Sequence, residues 1–290
     1  MLGLAVAGAP MAARAGSAGD LYYERTVMAA ADARCNLFTP QVSSALNAAR
    51  AQARGAALRA GMGEGDLNQI GVRAQAKAGG VSCASPDVAL AAGRVRTAFA
   101  GYSKLIRMTY PGDAASWRAD RSLPTQGGWW RLAQTAQLQG GGALVFGLSG
   151  ARGEDPQLLS VADFGAAQPY SARLLVRDPD RTPGAYLAMM RVGSTASLPL
   201  SARVAPRAAT RVFAAEARGP ADARLLPPGA KSATAFRFPQ AAVDAIADLD
   251  PREAITVEFV FAGRTGDVTR QALIEVGDFA AGRAFMMASR

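Results

Sequence analysis

The chain has 290 residues, half of them apolar and 19% charged, which suffices to bury a core in one or two domains and is too apolar for a disordered chain. The formal charge is +9, yet only Lys77, Lys104 and Lys231 are lysine, and the arginines stand singly along the sequence. Without a cluster, that balance argues against a nucleic-acid footprint and leaves compositional bias or an anionic envelope surface as its meaning. There is no histidine, which removes Ser-His-Asp and Cys-His nucleophile pairs, histidine metal sites and the usual neutral-pH proton shuttle.

The first residues, MLGLAVAGAPMAARAGSAGD, carry a short apolar stretch ending in Ala13-Arg14-Ala15, a small-x-small pattern of the kind cleaved from exported proteins. No positive segment precedes it, so two readings stand: the remnant of a signal peptide over 1–18, or an Ala-rich terminus. No later stretch reaches the length of a membrane span.

A first helix is expected from Asp20 to Ala33. A second opens with Thr39 as cap and Pro40 at its first position, carries Val42, Leu46, Ala49, Ala53, Ala56 and Ala60 on one stripe, and stops at Gly61. The Gly61–Gly65 run that follows lacks the strand and the Gly-Lys-Ser/Thr of a phosphate loop, and reads as an interhelical turn. A third helix spans roughly Asp66 to Ala78. If these two form an antiparallel hairpin, the residues flanking it return to one end. Cys35 and Cys83, the only cysteines, lie there, which fits one disulfide in an oxidising compartment. Such a closure stabilises by about 4 kcal/mol in the chain-entropy model; two buried free thiols are the alternative.

A fourth helix has Ser85 as cap, Pro86 at its first position and Asp87 at its positive end, with Val88, Ala92, Val95, Phe99, Tyr102 and Ile106 as a seam alternating four and three. Tyr110-Pro111-Gly112-Asp113 breaks the pattern, and the chain to Gly128 reads as a linker. From Trp129 short apolar runs separated by turns signal strands, at 129–138, 143–149, 157–164, 172–178, 185–192, 197–204, 210–217, 233–238, 254–261 and 270–276. Short helices are expected at 240–248 and at 278–287, the latter capped by Asp278.

Two of these runs end alike: VADFGAA at 161–167 and VGDFAAG at 276–282. Each match extends upstream through a strand, a Gly-Arg-rich turn and a second strand, so a hairpin used twice is one explanation and chance in an Ala/Gly/Arg-rich chain the other. About ten paired strands suggest a β-sandwich. The stretch 235–285, AFRFPQAAVDAIADLDPREAITVEFVF through IEVGDFAAGRAF, resembles the closing part of invasion-associated locus B-type proteins, which are secreted bacterial β-sandwich proteins. The resemblance covers under a fifth of the chain; it implies an envelope or secreted location and no enzymatic activity.

Chemistry-bearing motifs are few. Asp178 with Asp180, and Asp248 and Asp250 with Glu253, lack the spacing of a calcium loop. Phe146-Gly147-Leu148-Ser149-Gly150 misses the nucleophile-elbow spacing. Asp120, Glu154, Asp155 and Asp163 are acids that a glycosidase would need in pairs. The aromatic and basic group Trp117, Arg118, Arg121, Trp129, Trp130 and Arg131 could face a ligand at the domain junction or simply pack the two domains together.

The expectation is therefore an α+β chain: a disulfide-closed helical bundle over 19–110, a linker over 111–128, and an antiparallel β-sandwich with short helices over 129–290. Its expected role is that of an exported, periplasmic or secreted, binding protein without catalysis or cofactor. Its partner would be an anionic envelope component, a glycan or another envelope protein, with no nucleic acid and no membrane span. The rival is a glycan-processing enzyme, which would show a cleft holding two acids roughly 5–10 Å apart.

Overall fold

In the computed structural model, residues 11–122, 125–189 and 198–287 are described. Four helices come first: α1 (Met11–Cys35), α2 (Pro40–Arg59), α3 (Glu64–Gly79) and α4 (Pro86–Tyr102). The α1 helix begins earlier than expected, and Ala18 already packs with Leu58, Leu67 and Ile70. Residues 1–10 of the expected signal segment lie outside the described residues. Pro40 sits at the start of α2, but Thr39 makes no side-chain cap bond. At α4, Ser85 does cap, accepting from the Asp87 amide at 3.3 Å.

The helix hairpin returns the two cysteines to one end, and Cys35 and Cys83 form a disulfide with a Cα–Cα distance of 5.7 Å. Arg34 reinforces that end by donating to the carbonyls of Gly79 (3.2 Å) and Val81. Helices α1, α2 and α3 pack closely on Ala, Leu and Ile side chains. The α4 seam does not close in the same way: Ala92 is its only fully buried residue. The helix stops at Tyr102, leaving Ile106 outside it and exposed.

The remainder is two antiparallel sheets. Strands β1 (Arg107–Tyr110), β2 (Trp117–Asp120), β3 (Trp130–Gln137), β4 (Ala143–Ser149), β5 (Gln157–Ala162), β6 (Ser171–Arg177), β7 (Thr210–Ala214), β8 (Ala217–Pro220), β9 (Thr234–Phe238), β10 (Ala254–Gly263) and β11 (Gly266–Glu275) are interleaved with helices α5 (Gln240–Ala247) and α6 (Phe279–Met287). The larger sheet runs β1-β2-β3-β4-β5-β9-β8 and the smaller β11-β10-β6-β7. Their facing side chains form one core, including Trp117, Leu132, Phe146, Phe236, Leu174 and Phe259, which α5 and α6 close with Val243, Ile246, Phe279 and Phe285. A second small cluster of Trp130, Val145, Leu159, Val161 and Leu225 covers the outer face of the larger sheet. That is why β4 and β5 read as continuous apolar runs and not as alternating ones.

Three expectations are corrected. The linker over 111–128 contains β2, whose inward Trp117 and Ala119 flank outward Arg118; β2 joins β1 and β3 with only two residues in register with the latter. The run at 210–217 is two strands' worth of chain, turning at Ala215 and Glu216 so that β7 and β8 enter different sheets. The runs at 185–192 and 197–204 are not strands where described: Tyr186–Met189 and Leu200–Ala202 are single 3₁₀ turns, the second started by Pro199, which has no amide to give a ladder. Residues 190–197 lie outside the described residues.

The repeated heptapeptides do end two hairpins, β4–β5 and β10–β11, one in each sheet. Phe164 and Phe279 both plug the shared core. Their aspartates differ. Asp163 is exposed and accepts from the Gly165 amide at 2.9 Å, whereas Asp278 is buried and, instead of capping α6, binds Arg59.

Candidate functional site

The helical and β parts meet where α2 lies on α6. Arg59 donates both terminal nitrogens to Asp278, at 2.9 and 3.1 Å, and Gly55 lets these side chains approach the α2 backbone: a Cβ there would stand 2.9 Å from Asp278 Oδ1 and 3.2 Å from Pro251 Cγ. Burial holds the Asp278 carboxyl above the usual carboxylate range even with Arg59 beside it. Arg54 and Glu64 add a contact on the rim at 2.5 Å, and Arg252 reaches Glu64 at 3.8 Å across the same seam.

Beside that seam lies a cleft of about 350 Å³ between α1, α2, α4, β1 and α6. Its wall is nearly all apolar: Val42, Leu46, Val95, Phe99, Met108 and Ala281 among others. The loose fourth helix is explained by it, since Val95, Ala98, Phe99 and Tyr102 overhang the opening. Along α2 the wall runs from Val42 to Gln52, ten residues at 1.5 Å each, or roughly 15 Å. The volume falls in the lower part of the range for small-molecule sites.

Polar groups are confined to a few positions. Arg25 of α1 is half-buried, donating to the Ala49 carbonyl at 2.6 Å; burial lowers its pKa. The Tyr102 hydroxyl is buried within reach only of Arg121 and Tyr110, and Tyr110 OH also meets the Met108 sulfur, at 3.5 Å. Burial raises the pKa of both phenols. Behind them Arg121 stacks its guanidinium 3.7 Å over the Phe285 ring and 4.6 Å over Tyr102, and donates to the carbonyls of Phe285, Tyr102 and Leu105. Its remaining nitrogen, Nη2, is buried without an acceptor.

The aromatic and basic group read from the sequence is divided by the fold. Trp117 is fully buried, its indole N–H donating to the carbonyls of Glu275 and Val276 at 3.1 and 2.9 Å, with Phe279 edge-on at 5.1 Å. Trp130 lies on the opposite face of the larger sheet and donates to the Leu225 carbonyl at 3.1 Å; Trp129, just before it, is half-buried, with an indole nitrogen lacking a partner. Arg131 is buried and reaches the Met286 carbonyl at 3.0 Å, while Arg118 is exposed. None of the six lines the cleft: Arg121 stands behind its Tyr102, Arg118 faces solvent, and Trp117, Trp130 and Arg131 pack within the sandwich.

The carboxylates are largely consumed in buried ion pairs. Asp120 pairs with Arg107, Glu253 with Arg177, Glu258 with Arg207 and Asp250 with Arg252. Glu275 accepts the amides of Asp113, Ala114 and Ala115, each at 2.8 Å, together with Arg203 at 3.4 Å. That stitch was invisible in the sequence because Arg203 sits in a run read as a strand. Of the acids singled out for glycan chemistry, only Asp155 lines a sizeable cleft, of about 580 Å³ near α5 and α6, in company with Glu216, Arg237 and Arg283. No group of three or more metal-ligating side chains occurs, and no helix is long and apolar enough to cross a membrane, among the described residues.

Comparison with protein-family models, with curated proteins and with solved structures gives no match for this chain.

Proposed function

We propose that this is an exported, non-catalytic binding protein that holds a small apolar ligand in the cleft between its helices and its β-sandwich. The observation that carries this is the overhanging α4, whose apolar side chains Val95, Phe99 and Tyr102 stand half-covered over an apolar cleft. A helix in that position has unmet hydrophobic area, and a ligand chain would cover it. The Cys35–Cys83 bond supports an oxidising compartment, in keeping with the envelope or secreted location implied by the resemblance of residues 235–285. An anionic envelope component is the partner class best suited to a chain of charge +9.

The test is binding of straight-chain alcohols from about six to about fourteen carbons, followed by displacement of a fluorescent chain probe. Affinity should rise about fourfold for each added methylene, from roughly 0.8 kcal/mol per buried CH₂, and level off once the chain outgrows the cleft. Ala45→Trp and Ala98→Trp, which fill the cleft from opposite sides, should each abolish binding while leaving the circular dichroism unchanged. Absence of saturable binding, or binding indifferent to both variants, would overturn the reading.

The second reading, a glycan-processing enzyme, draws on Asp155 and Glu216 in one cleft. Both are exposed, so neither is withdrawn from water as a catalytic acid in this chemistry is. Release of reducing ends from soluble glycans that disappears in Glu216→Gln would favour it.

A further inference from the structure

Charge in this protein follows a rule, and the cleft breaks it. Seven buried carboxylates, at Asp120, Asp178, Asp250, Glu253, Glu258, Glu275 and Asp278, each have an arginine within ion-pair distance. Arg25 and Arg121 are the converse case. Both are partly buried, Arg25 on the cleft wall and Arg121 behind Tyr102, and neither has a carboxylate oxygen within 4.0 Å among the described residues. Burial lowers the pKa of each, although the Glu24 charge next to Arg25 and the two phenols next to Arg121 pull the other way.

The hydrogen-bonding groups beside the cleft are sparsely partnered as well. The Tyr102 hydroxyl has only Arg121 and Tyr110 within reach, and the Tyr110 hydroxyl only Tyr102 and the Met108 sulfur. Tyr102, Tyr110 and Arg121 lie close enough for each to feel the charge of the others. The one carboxylate that also faces Tyr110, Asp278, is neutralised by Arg59. The guanidinium can only donate and each phenol can donate, so an acceptor entering here would meet N–H and O–H groups.

Their placement along the cleft completes the picture. Arg96 donates to the Leu37 carbonyl at 2.8 Å, so the middle of α4 lies by the start of α2, and the two helices run together toward α6. Val42, Leu46 and Val95 thus line the end near the disulfide, Arg25 stands at Ala49 farther along α2, and Tyr102 and Tyr110 mark the end near the sandwich. One end is apolar, and the other presents donors and cationic groups.

From this arrangement we infer that the cleft takes a single-chain amphiphile with a carboxylate head, the chain lying between α2 and α4 and the head held by Arg25, Tyr102 and Tyr110 with Arg121 behind them. The inference rests on the cleft being the binding site and adds the class of ligand. Arg25 is the cationic group on the wall itself, free to swing from the Ala49 carbonyl onto a carboxylate. Arg121 acts through the tyrosines, which its stacked guanidinium positions.

The experiment compares dodecanoate, dodecanol and dodecyltrimethylammonium, each below its micellar concentration, by calorimetry on the intact disulfide-bonded chain. Dodecanoate should bind at least tenfold tighter than dodecanol, and the ammonium compound should bind weakest. Arg25→Met should bring dodecanoate and dodecanol to within about threefold by weakening dodecanoate, and Tyr102→Phe should narrow the gap in the same direction. Equal affinity for acid and alcohol in the native protein would overturn the inference and leave the cleft reading standing. If no member of the series bound, both would fall. Should Arg25→Met not fold, the acid-to-alcohol ratio in the native chain and in Tyr102→Phe decides alone.

Discussion

Removing the Cys35–Cys83 cross-link, as C35S/C83S, perturbs the helical part without touching the β core. The bond closes a span of 48 residues. In the loop-entropy model that costs the unfolded chain about 13.6 cal/mol/K, or about 4 kcal/mol at room temperature. Against a typical total of roughly 5–15 kcal/mol, this is a large share of the stability. With a urea slope of roughly 2 kcal/mol/M, the midpoint should fall by about 2 M. Two probes read it separately. The three tryptophans, Trp117, Trp129 and Trp130, all belong to the β part, so their fluorescence reports the sandwich, while the far-ultraviolet circular dichroism is dominated by the helices. Because Arg59 and Asp278 join α2 to the entry of α6, both signals should move together. A shift smaller than about 1 kcal/mol would refute the loop-entropy reasoning. A helical transition that moves while the tryptophan transition stays would refute the coupling of the two parts.

Arg59→Met should cost about 3 kcal/mol at neutral pH, because it leaves a buried carboxylate unpaired, and R59M/D278N should recover most of that loss by removing the orphaned charge; urea unfolding of both variants checks it, and a single-variant loss under about 0.5 kcal/mol would contradict it. Gly55→Ala should destabilise by roughly 1–3 kcal/mol and weaken the seam, since its methyl would meet Asp278 and Pro251; a Gly55→Ala protein as stable as the native one would show that the seam gives way freely. The pH dependence should be unusual. Burial raises the folded-state pKa of Asp278 and Glu253, so the folded chain holds those protons more tightly than the unfolded one, and the stability they contribute is lost as pH rises from about 4 through the raised values. Asp250 works the other way: although burial pulls upward, its bonds from Arg252 hold it below the ordinary range, and its contribution is lost as pH falls below about 4. Urea midpoints should therefore be highest at mildly acidic pH, and a steady rise from pH 5 to pH 8 would contradict this.

Much of the helical half was legible because its signals are local. Proline at the starts of α2 and α4, glycine after α2 and the cysteine flanks each act within a few residues, and the structure places them as read. The strands were legible where they are long and apolar, as in β4, β5 and β10, and not where four residues share a sheet edge. Trp117-Arg118-Ala119 does alternate in and out, but a preceding Tyr-Pro-Gly-Asp outweighed so short a signal. The run at 197–204 misled because Arg203 reads as a solvent-facing strand residue, whereas its partners Asp113 and Glu275 lie far off in sequence.

The site was harder still. The tryptophans and arginines that looked like a binding patch alternate along β2 and β3 and so point to different faces. The groups that gather at the cleft come from three segments without a shared motif: Arg25 on α1, Tyr102 at the end of α4 and Tyr110 on β1. One hint was present. Arg25 falls three residues from both Tyr22 and Met28, a cation on an otherwise apolar helical face. Periodicity marks such a residue as out of place but does not say what it waits for.

Methyl-resolved NMR of the chain labelled at alanine and methionine, with and without dodecanoate, tests the site most directly. Resonances of Ala45, Ala49, Ala281 and Met108 should shift together and saturably, while those of Ala221 and Ala235 on the outer face of the larger sheet stay fixed. Shifts absent from the cleft methyls, or centred on that outer face, would contradict the assignment of the cleft as the ligand site.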